Sequence, residues 1–300
     1  MKSSLKGILP AIISPCNEKD VFLEDTFSKL AISLYREGVN GLYVCGATGD
    51  CFNMRLEERK RAAELAVAVS KKCGGSVIVH VGTSNSRDSM ELAEHAANAG
   101  ADAVSCIPPT NRNQAQLLQY YHDVARAARI PVLIYHLPAL SSQNLSLESL
   151  LQLLDIPGVV GLKLSNSDLF LLRRLLLARP DIVVFIGNDE LLCLAQMYGA
   201  HGGIGMTYNL FPKLFVNIYK AMGTGNLSRA LELQHCYLPF LDLAVKYGIF
   251  SVFDYLMREQ GYDSCSFRRP RQLLDKNTSG RLMKELEPVL ANISDTLTKR

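Results

Sequence analysis

The sequence predicts an α/β fold: a TIM (β/α)8 barrel over residues 1–225, with a C-terminal three-helix extension over residues 226–300 packed on it as one structural unit. Three observations predict it. Strand-length apolar runs alternate with helix-length amphipathic stretches eight times. The strand runs are apolar at consecutive positions, as in a parallel sheet covered on both faces. After Gly225 the alternation stops and only helical spacing continues. An open doubly wound sheet is the alternative, but it normally carries a glycine-rich phosphate turn after the first strand, and none is present here.

The elements follow in order. Residues 7–13 form an apolar run that ends at Ser14-Pro15, a first strand. Residues 25–37 place Phe27, Leu30, Ala31 and Leu34 on one helical face, and Gly38 stops the helix. Strand two, 41–45, closes in the small-residue loop Gly46-Ala47-Thr48-Gly49-Asp50; a helix over 57–70 ends before Gly74-Gly75. Strands over 76–81, 103–107 and 131–135 alternate with helices over 86–98 and 114–128, and Pro108-Pro109 and Pro138 act as breakers. Helix 147–154, strand 159–164, helix 168–178, strand 182–186, helix 189–198, strand 202–205 and helix 211–222 complete the alternation. Residues 227–247, 249–259 and 280–293 read as the three helices of the extension, with a loop over 263–278 that holds Arg268, Arg269 and Arg271.

Composition bounds the function. A hydrophobic fraction of 48% with 20% charged residues is ample for a large core. A net charge of +3, with no dense Lys/Arg block, is too small to argue for nucleic-acid or membrane partners, so none is expected. No apolar stretch approaches the roughly 18 residues needed to span a bilayer. The eight cysteines never form Cys-x-x-Cys, and Cys45 and Cys106 sit inside apolar runs. With no secretory leader, reduced thiols in a cytoplasmic protein are expected, with neither a disulfide framework nor a metal site.

The barrel makes the residue order informative, because catalytic groups come from the C-terminal ends of its strands. Lys163 stands near the end of the buried run Pro157-Gly158-Val159-Val160-Gly161-Leu162-Lys163-Leu164-Ser165. Burial disfavours its ammonium form, and a desolvated amine is what imine chemistry with a carbonyl requires; snorkelling to water along its aliphatic stem is the alternative. Strand five ends in Tyr135-His136, and strands five and six are barrel neighbours, so Tyr135 belongs beside Lys163 as proton donor and acceptor. Ala47-Thr48-Gly49 offers backbone N–H groups suited to a small carboxylate, or simply makes a tight turn. Asp189 and Glu190 open a helix, where they either cap it or bind a polyol. Gly187 after strand seven, and Gly205 and Met206 after strand eight, reach the same rim. His136 reads as an orienting or structural residue, Tyr120 and Tyr121 as packing, and the three arginines as salt bridges or subunit contacts.

In combination, Gly-Ala-Thr-Gly-Asp at 46–50, Tyr-His-Leu-Pro-Ala-Leu at 135–140, Gly-Leu-Lys at 161–163 and Gly-Gly-Ile-Gly at 202–205 resemble the pyruvate-dependent class I aldolases that include N-acetylneuraminate lyase and dihydrodipicolinate synthase. The resemblance runs from Gly7 to about Pro270. It implies the same barrel, a homotetramer built from two tight dimers, and no cofactor beyond a covalent imine. Lys163 would form that imine with pyruvate, Tyr135 would move the proton, and residues 47–48 would hold the pyruvate carboxylate. Leu140 stands where the synthases carry an arginine, which is similar to the sialic acid lyases. Ser165, Gly187, Asp189 and Glu190 match positions where those lyases bind sugar hydroxyls, and Gly205 and Met206 complete the expected substrate-binding set.

The chain differs from the family pattern at several positions. Ala47 replaces a Ser or Thr whose hydroxyl relays protons, Asp50 replaces Glu, Thr110-Asn111 replaces a tyrosine donated across the dimer, and Met206 replaces a substrate-contacting serine. The expected activity is therefore cleavage of N-acetylneuraminate or a similar 2-keto-3-deoxy sugar acid to pyruvate and an aldehyde (N-acetylmannosamine in the first case). The alternatives are an aldolase or dehydratase for another 2-keto-3-deoxy sugar acid, a dihydrodipicolinate synthase-like enzyme, or a non-catalytic sugar-acid sensor.

Overall fold

The structure is a computed structural model that describes residues 5–262 and 267–299. Its elements are β1 (Gly7–Pro10), α1 (Glu24–Arg36), β2 (Gly41–Val44), α2 (Leu56–Cys73), β3 (Ser76–His80), α3 (Ser86–Ala99), β4 (Ala103–Cys106), α4 (Gln114–Ala128), β5 (Val132–His136), α5 (Pro138–Ser141), α6 (Leu147–Leu154), β6 (Val159–Leu164), α7 (Leu169–Ala178), β7 (Val183–Ile186), α8 (Leu192–Met197), β8 (Gly202–Gly205), α9 (Pro212–Gly223), α10 (Leu227–Tyr247), α11 (Ile249–Glu259) and α12 (Lys276–Thr298). All eight strands pair in parallel, in the order β1-β8-β7-β6-β5-β4-β3-β2. An Ala11–Tyr43 bridge and the Ile12 N–H donating to the Tyr43 carbonyl at 3.0 Å bring β1 back to β2. The architecture is the TIM barrel that the alternation predicts, with α10, α11 and α12 following it.

Period-two alternation sorts the strand side chains into two cores. Leu9, Tyr43, Ile78, Leu133, Tyr135, Phe185 and Ile204 point inward and fill the barrel. Their neighbours, among them Leu42, Val44, Ile134, Leu162 and Leu164, point outward into the strand–helix layer. That is why the strands read as continuous apolar runs.

Several boundaries differ from the sequence reading. The first strand stops at Pro10 and not at residue 13, because its partner β8 ends at Gly205 opposite Pro10, and beyond it the chain keeps only isolated bonds to Gly205 and Tyr43. Residues 189–198 divide into a 3-10 turn, Asp189–Leu191, followed by α8. Pro138 opens the one-turn α5, since a proline suits the first helical position. The last helix begins at Lys276 and not at residue 280. There the Asp275 carboxylate accepts the N–H groups of Asn277 and Thr278, at 2.8 and 2.9 Å. Residues 263–266 of the expected loop lie outside the described residues.

The three arginines make ion pairs within the chain. Arg268 reaches Glu58 at 3.0 Å, while Arg269 and Arg271 both reach Asp20, at 2.7 and 2.9 Å. These pairs tie the segment before α12 to the rim beside β2. On the other side α10 sends Gln234 and Tyr237 to the rim beside β7 and β8. The extension thus encloses the C-terminal face from two directions. Among the described residues no single helix is long and apolar enough to cross a membrane, and Cys45, Cys51, Cys73, Cys106, Cys193 and Cys236 are free thiols.

Candidate active site

A local irregularity sets the site. Val132 pairs with Val159, but Leu133 pairs with Gly161, so Val160 is an extra residue bulged out of β6. Beyond it Tyr135 lies opposite Lys163 and His136 opposite Leu164. Without the bulge, the register that starts at Val132–Val159 would have set Tyr135 against Leu162. A one-residue slip moves a side chain to the other face.

Lys163 is 4% exposed and points into the barrel. Its Nζ lies 4.2 Å from the centre of the Tyr135 ring and 4.4 Å from that of Tyr43. Among the described residues no carboxylate forms an ion pair with it. Burial pulls its amine down to about 7, and the more distant Asp189 carboxylate only partly opposes this. Tyr135 is buried too, and burial raises its phenol above the usual range; the Ser165 hydroxyl is the neighbour that favours its ionised form.

Tyr43, His80 and Arg59 lie behind this pair, and the sequence reading did not single them out. Tyr43 meets Tyr135 edge to face at 5.9 Å, and His80 meets Tyr135 in the same way at 5.7 Å. The His80 Nδ1–H donates to the Cys45 carbonyl at 3.0 Å, and its Nε2 accepts the Ile107 N–H at 3.3 Å, which fixes one neutral tautomer. Burial, Arg59 and Lys163 all hold its pKa well below the usual value. Arg59 donates to the carbonyls of His80 at 2.7 Å and Gly82 at 3.1 Å. This network joins the ends of β2, β3 and β4. It also clamps Cys45, whose φ of +56° turns the chain into the Gly46–Asp50 loop. The available signal was the inward parity of Ser76, Ile78 and His80 on β3, which places a histidine at the catalytic end.

Across the barrel stands Asp189. Its Oδ2 accepts the Thr207 N–H at 2.8 Å and the Thr207 hydroxyl at 2.6 Å. It therefore braces the loop after β8 and does not cap its own turn, the alternative left open by sequence. Its Oδ1 is buried without a partner. A side chain at Gly205 would collide with that oxygen, so glycine is needed there. A side chain at Gly187 would likewise fall on the Ser165 hydroxyl and approach Lys163 Cε. Burial raises the Asp189 carboxyl to about 6 against the lowering effect of Thr207. The Thr207 hydroxyl also bonds Tyr237 at 3.0 Å.

These groups surround a cavity of about 170 Å³. Lys163, Tyr135, Thr48, Gly187, Asp189, Glu190 and Met206 all line it. Ser165 and Gly205 are not in this lining but abut two residues that are, Gly187 and Asp189. Ala47 instead lines a larger neighbouring cavity of about 560 Å³. Among the described residues no acceptor takes the N–H of Ala47 or Thr48, which leaves both free for an anion. Asp50 anchors the extension: its Oδ2 accepts the Arg268 N–H and its Oδ1 the Asn53 amide, both at 2.8 Å. Tyr120 and Tyr121 are core residues bonded to Ser89 and to the Cys106 carbonyl. His136 faces outward, and burial holds it neutral with a pKa near 4.

The arrangement joins a buried amine that burial makes easy to deprotonate, an adjacent phenol, free N–H groups for an anion and an unsatisfied carboxylate oxygen for a hydroxyl. A model of the dihydrodipicolinate synthetase family matches residues 4–289. The chain is 31% identical over 290 residues to the N-acetylneuraminate lyase of Rhizobium meliloti, covering 96% of both chains. It is 33% identical over 253 residues to that of Citrobacter koseri, covering 83% of this chain and 85% of the relative. Among solved structures it is similar to CdNal from Clostridium difficile, determined in complex with mannosamine, with a TM-score of 0.90, 26% identity, and coverage of 96% and 100% of the two chains. It is also similar to YagE of E. coli K12, a prophage protein of the dihydrodipicolinic acid synthase family determined in complex with pyruvate, with a TM-score of 0.89, 26% identity, and coverage of 96% and 99%.

Proposed function

The chain belongs to the dihydrodipicolinate synthetase family, and on that premise we propose that it is a Schiff-base class I lyase that cleaves N-acetylneuraminate, or a similar 2-keto-3-deoxy sugar acid, to pyruvate and an aldehyde. The observation that carries the reading is Lys163: a buried amine with no carboxylate partner among the described residues, its pKa pulled down to about 7, in register with Tyr135.

The chemistry follows from these residues. The Lys163 amine attacks the substrate's keto carbon, and loss of water leaves a cationic imine. The N–H groups of Ala47 and Thr48 hold the neighbouring carboxylate. Before this step burial keeps Tyr135 protonated. The fixed positive charge of the imine beside it favours the phenolate, so Tyr135 becomes a base only once substrate is attached. It then takes the proton from the hydroxyl next to the breaking C–C bond. The bond electrons move into the imine to give an enamine, and the aldehyde departs. Tyr135 returns the proton to the enamine carbon, and water releases pyruvate from Lys163. Ser165, beside Tyr135, supplies the hydroxyl that Ala47 lacks for this relay. The unpaired Asp189 Oδ1, with Glu190, accepts hydroxyls of the sugar.

A shorter 2-keto-3-deoxy acid is the second reading, favoured by the apolar Met206 in a cavity of only about 170 Å³. The same proposal carries a homotetramer, a cytoplasmic location and no cofactor beyond the imine. For the assembly, Phe170, Leu177 and Met197 on α7 and α8 are exposed apolar side chains available to a second copy. The test is incubation with pyruvate and borohydride, which should reduce the imine to a permanent adduct on Lys163. Lys163→Met should abolish both adduct and turnover. An unmodified Lys163 in the parent chain overturns the mechanism. Pyruvate release from N-acetylneuraminate against 2-keto-3-deoxygluconate distinguishes the two substrate readings.

A further inference from the structure

The catalytic cavity has a larger neighbour that the mechanism does not use. It measures about 560 Å³ and lies between the Gly46–Asp50 loop, the start of α11 and residues 267–273. Ile249 is a wall of both cavities, and the consecutive residues Ala47 and Thr48 line one each. Resting on the lyase reading above, we propose that this compartment holds an apolar acyl or aryl substituent on the aldehyde half of the substrate, so that the preferred sugar acid carries a group larger than acetyl.

The lining chemistry supports this occupant. Phe52, Leu140, Phe250 and Leu273 face it and are 47–58% exposed. Phe267 stacks edge to face on Phe250 at 5.0 Å. Large apolar side chains left half in water beside a catalytic cavity mark a surface that gains from being covered. The charged groups in the same wall are already paired. Asp50 accepts from Arg268 and Asn53, Arg268 reaches Glu58, Arg271 reaches Asp20, and Asp254 reaches Arg258. Among the described residues the compartment thus offers no uncommitted charge to an ionic tail, and its open surface is mostly apolar. The hydroxyl-accepting groups, Asp189 Oδ1 and Glu190, belong to Lys163's cavity and not to this compartment. The site therefore has one polar end for a polyol and one apolar end for a substituent. The two adjoin at Ile249 and at the Ala47–Thr48 peptide.

The test is aldol addition of pyruvate to mannosamine carrying an N-acetyl, N-pentanoyl or N-benzoyl group. A fully buried methylene is worth roughly four-fold in affinity, so partial burial of three should raise kcat/KM about ten-fold from acetyl to pentanoyl. Phe250→Ser and Leu140→Ser should each reduce that ratio toward one. Borohydride trapping of pyruvate on Lys163 is run in parallel on every protein. A flat or falling series in the parent chain overturns the proposal, as does an undiminished ratio in both variants. So does a change in assembly mass by light scattering in the two variants, which would assign the groove to a second copy of the chain. Failure of trapping in the parent chain instead strikes the lyase reading itself, and the proposal falls with it.

Discussion

Two successive layers inside the barrel differ in kind. On β3, β5 and β6 the lower inward positions are Ile78, Leu133 and Gly161; two residues further along each strand come His80, Tyr135 and Lys163. The lower layer is apolar or small. The upper one buries an imidazole, a phenol and an amine. Burying such groups costs stability unless they are hydrogen-bonded. His80 is satisfied through Cys45 and Ile107, whereas among the described residues no hydrogen bond or ion pair holds Lys163, whose Nζ lies over the Tyr43 and Tyr135 rings. The difference teaches that one strand geometry serves packing at one end and reactivity at the other, and that the reactive end is made of groups held away from their preferred ionisation.

Substitutions two residues apart on β5 probe that contrast. Tyr135→Phe removes one hydroxyl from the upper layer. Turnover should fall by roughly 10²–10⁴-fold, the usual worth of a positioned acid–base group, while pyruvate still traps on Lys163 and the thermal midpoint moves little. Equal loss of trapping and turnover would show that Tyr135 acts on imine formation or on packing instead. Leu133→Ala, in the lower layer, should cost about 2–5 kcal/mol in denaturant unfolding through the cavity it leaves. The folded fraction should keep its kcat; a large fall in kcat would erase the distinction between the layers.

The smallest effect is graded with pH. Lys163 attacks only as the neutral amine, and burial lowers its pKa from 10.5 to about 7. The neutral form therefore predominates above about pH 7, and kcat/KM should fall about ten-fold per unit below it. An acidic limb near 10 would mean that water reaches the amine and that the upper layer is not desolvated. The Asp189 carboxyl, near 6, adds a second loss further down the same limb.

Much of this was legible in the chain. The eight alternations gave the barrel, and the strand-end rule brought Lys163, Tyr135, Thr48, Gly187, Asp189, Glu190 and Met206 to one cavity. Tyr43, His80 and Arg59 were not singled out because each sits in an apolar or helical context that core packing explains equally well. Asp189 was ambiguous because an acid opening a helical turn has a local explanation. Its actual partner, Thr207, lies 18 residues away.

The sequence by itself determined the fold class, the order of the rim residues and the identity of the amine, because these depend on hydrophobic period and local chemistry. Strand adjacency already put Tyr135 beside Lys163, but only the tertiary structure decided how that register is reached, since the extra residue at Val160 that sets it is an ordinary valine in an apolar run. It alone decided that Ala47 turns to the larger cavity and that Asp189 keeps one oxygen unpaired. Register, cavity and unsatisfied hydrogen-bonding capacity are relations between distant segments, and no local pattern of residues encodes them.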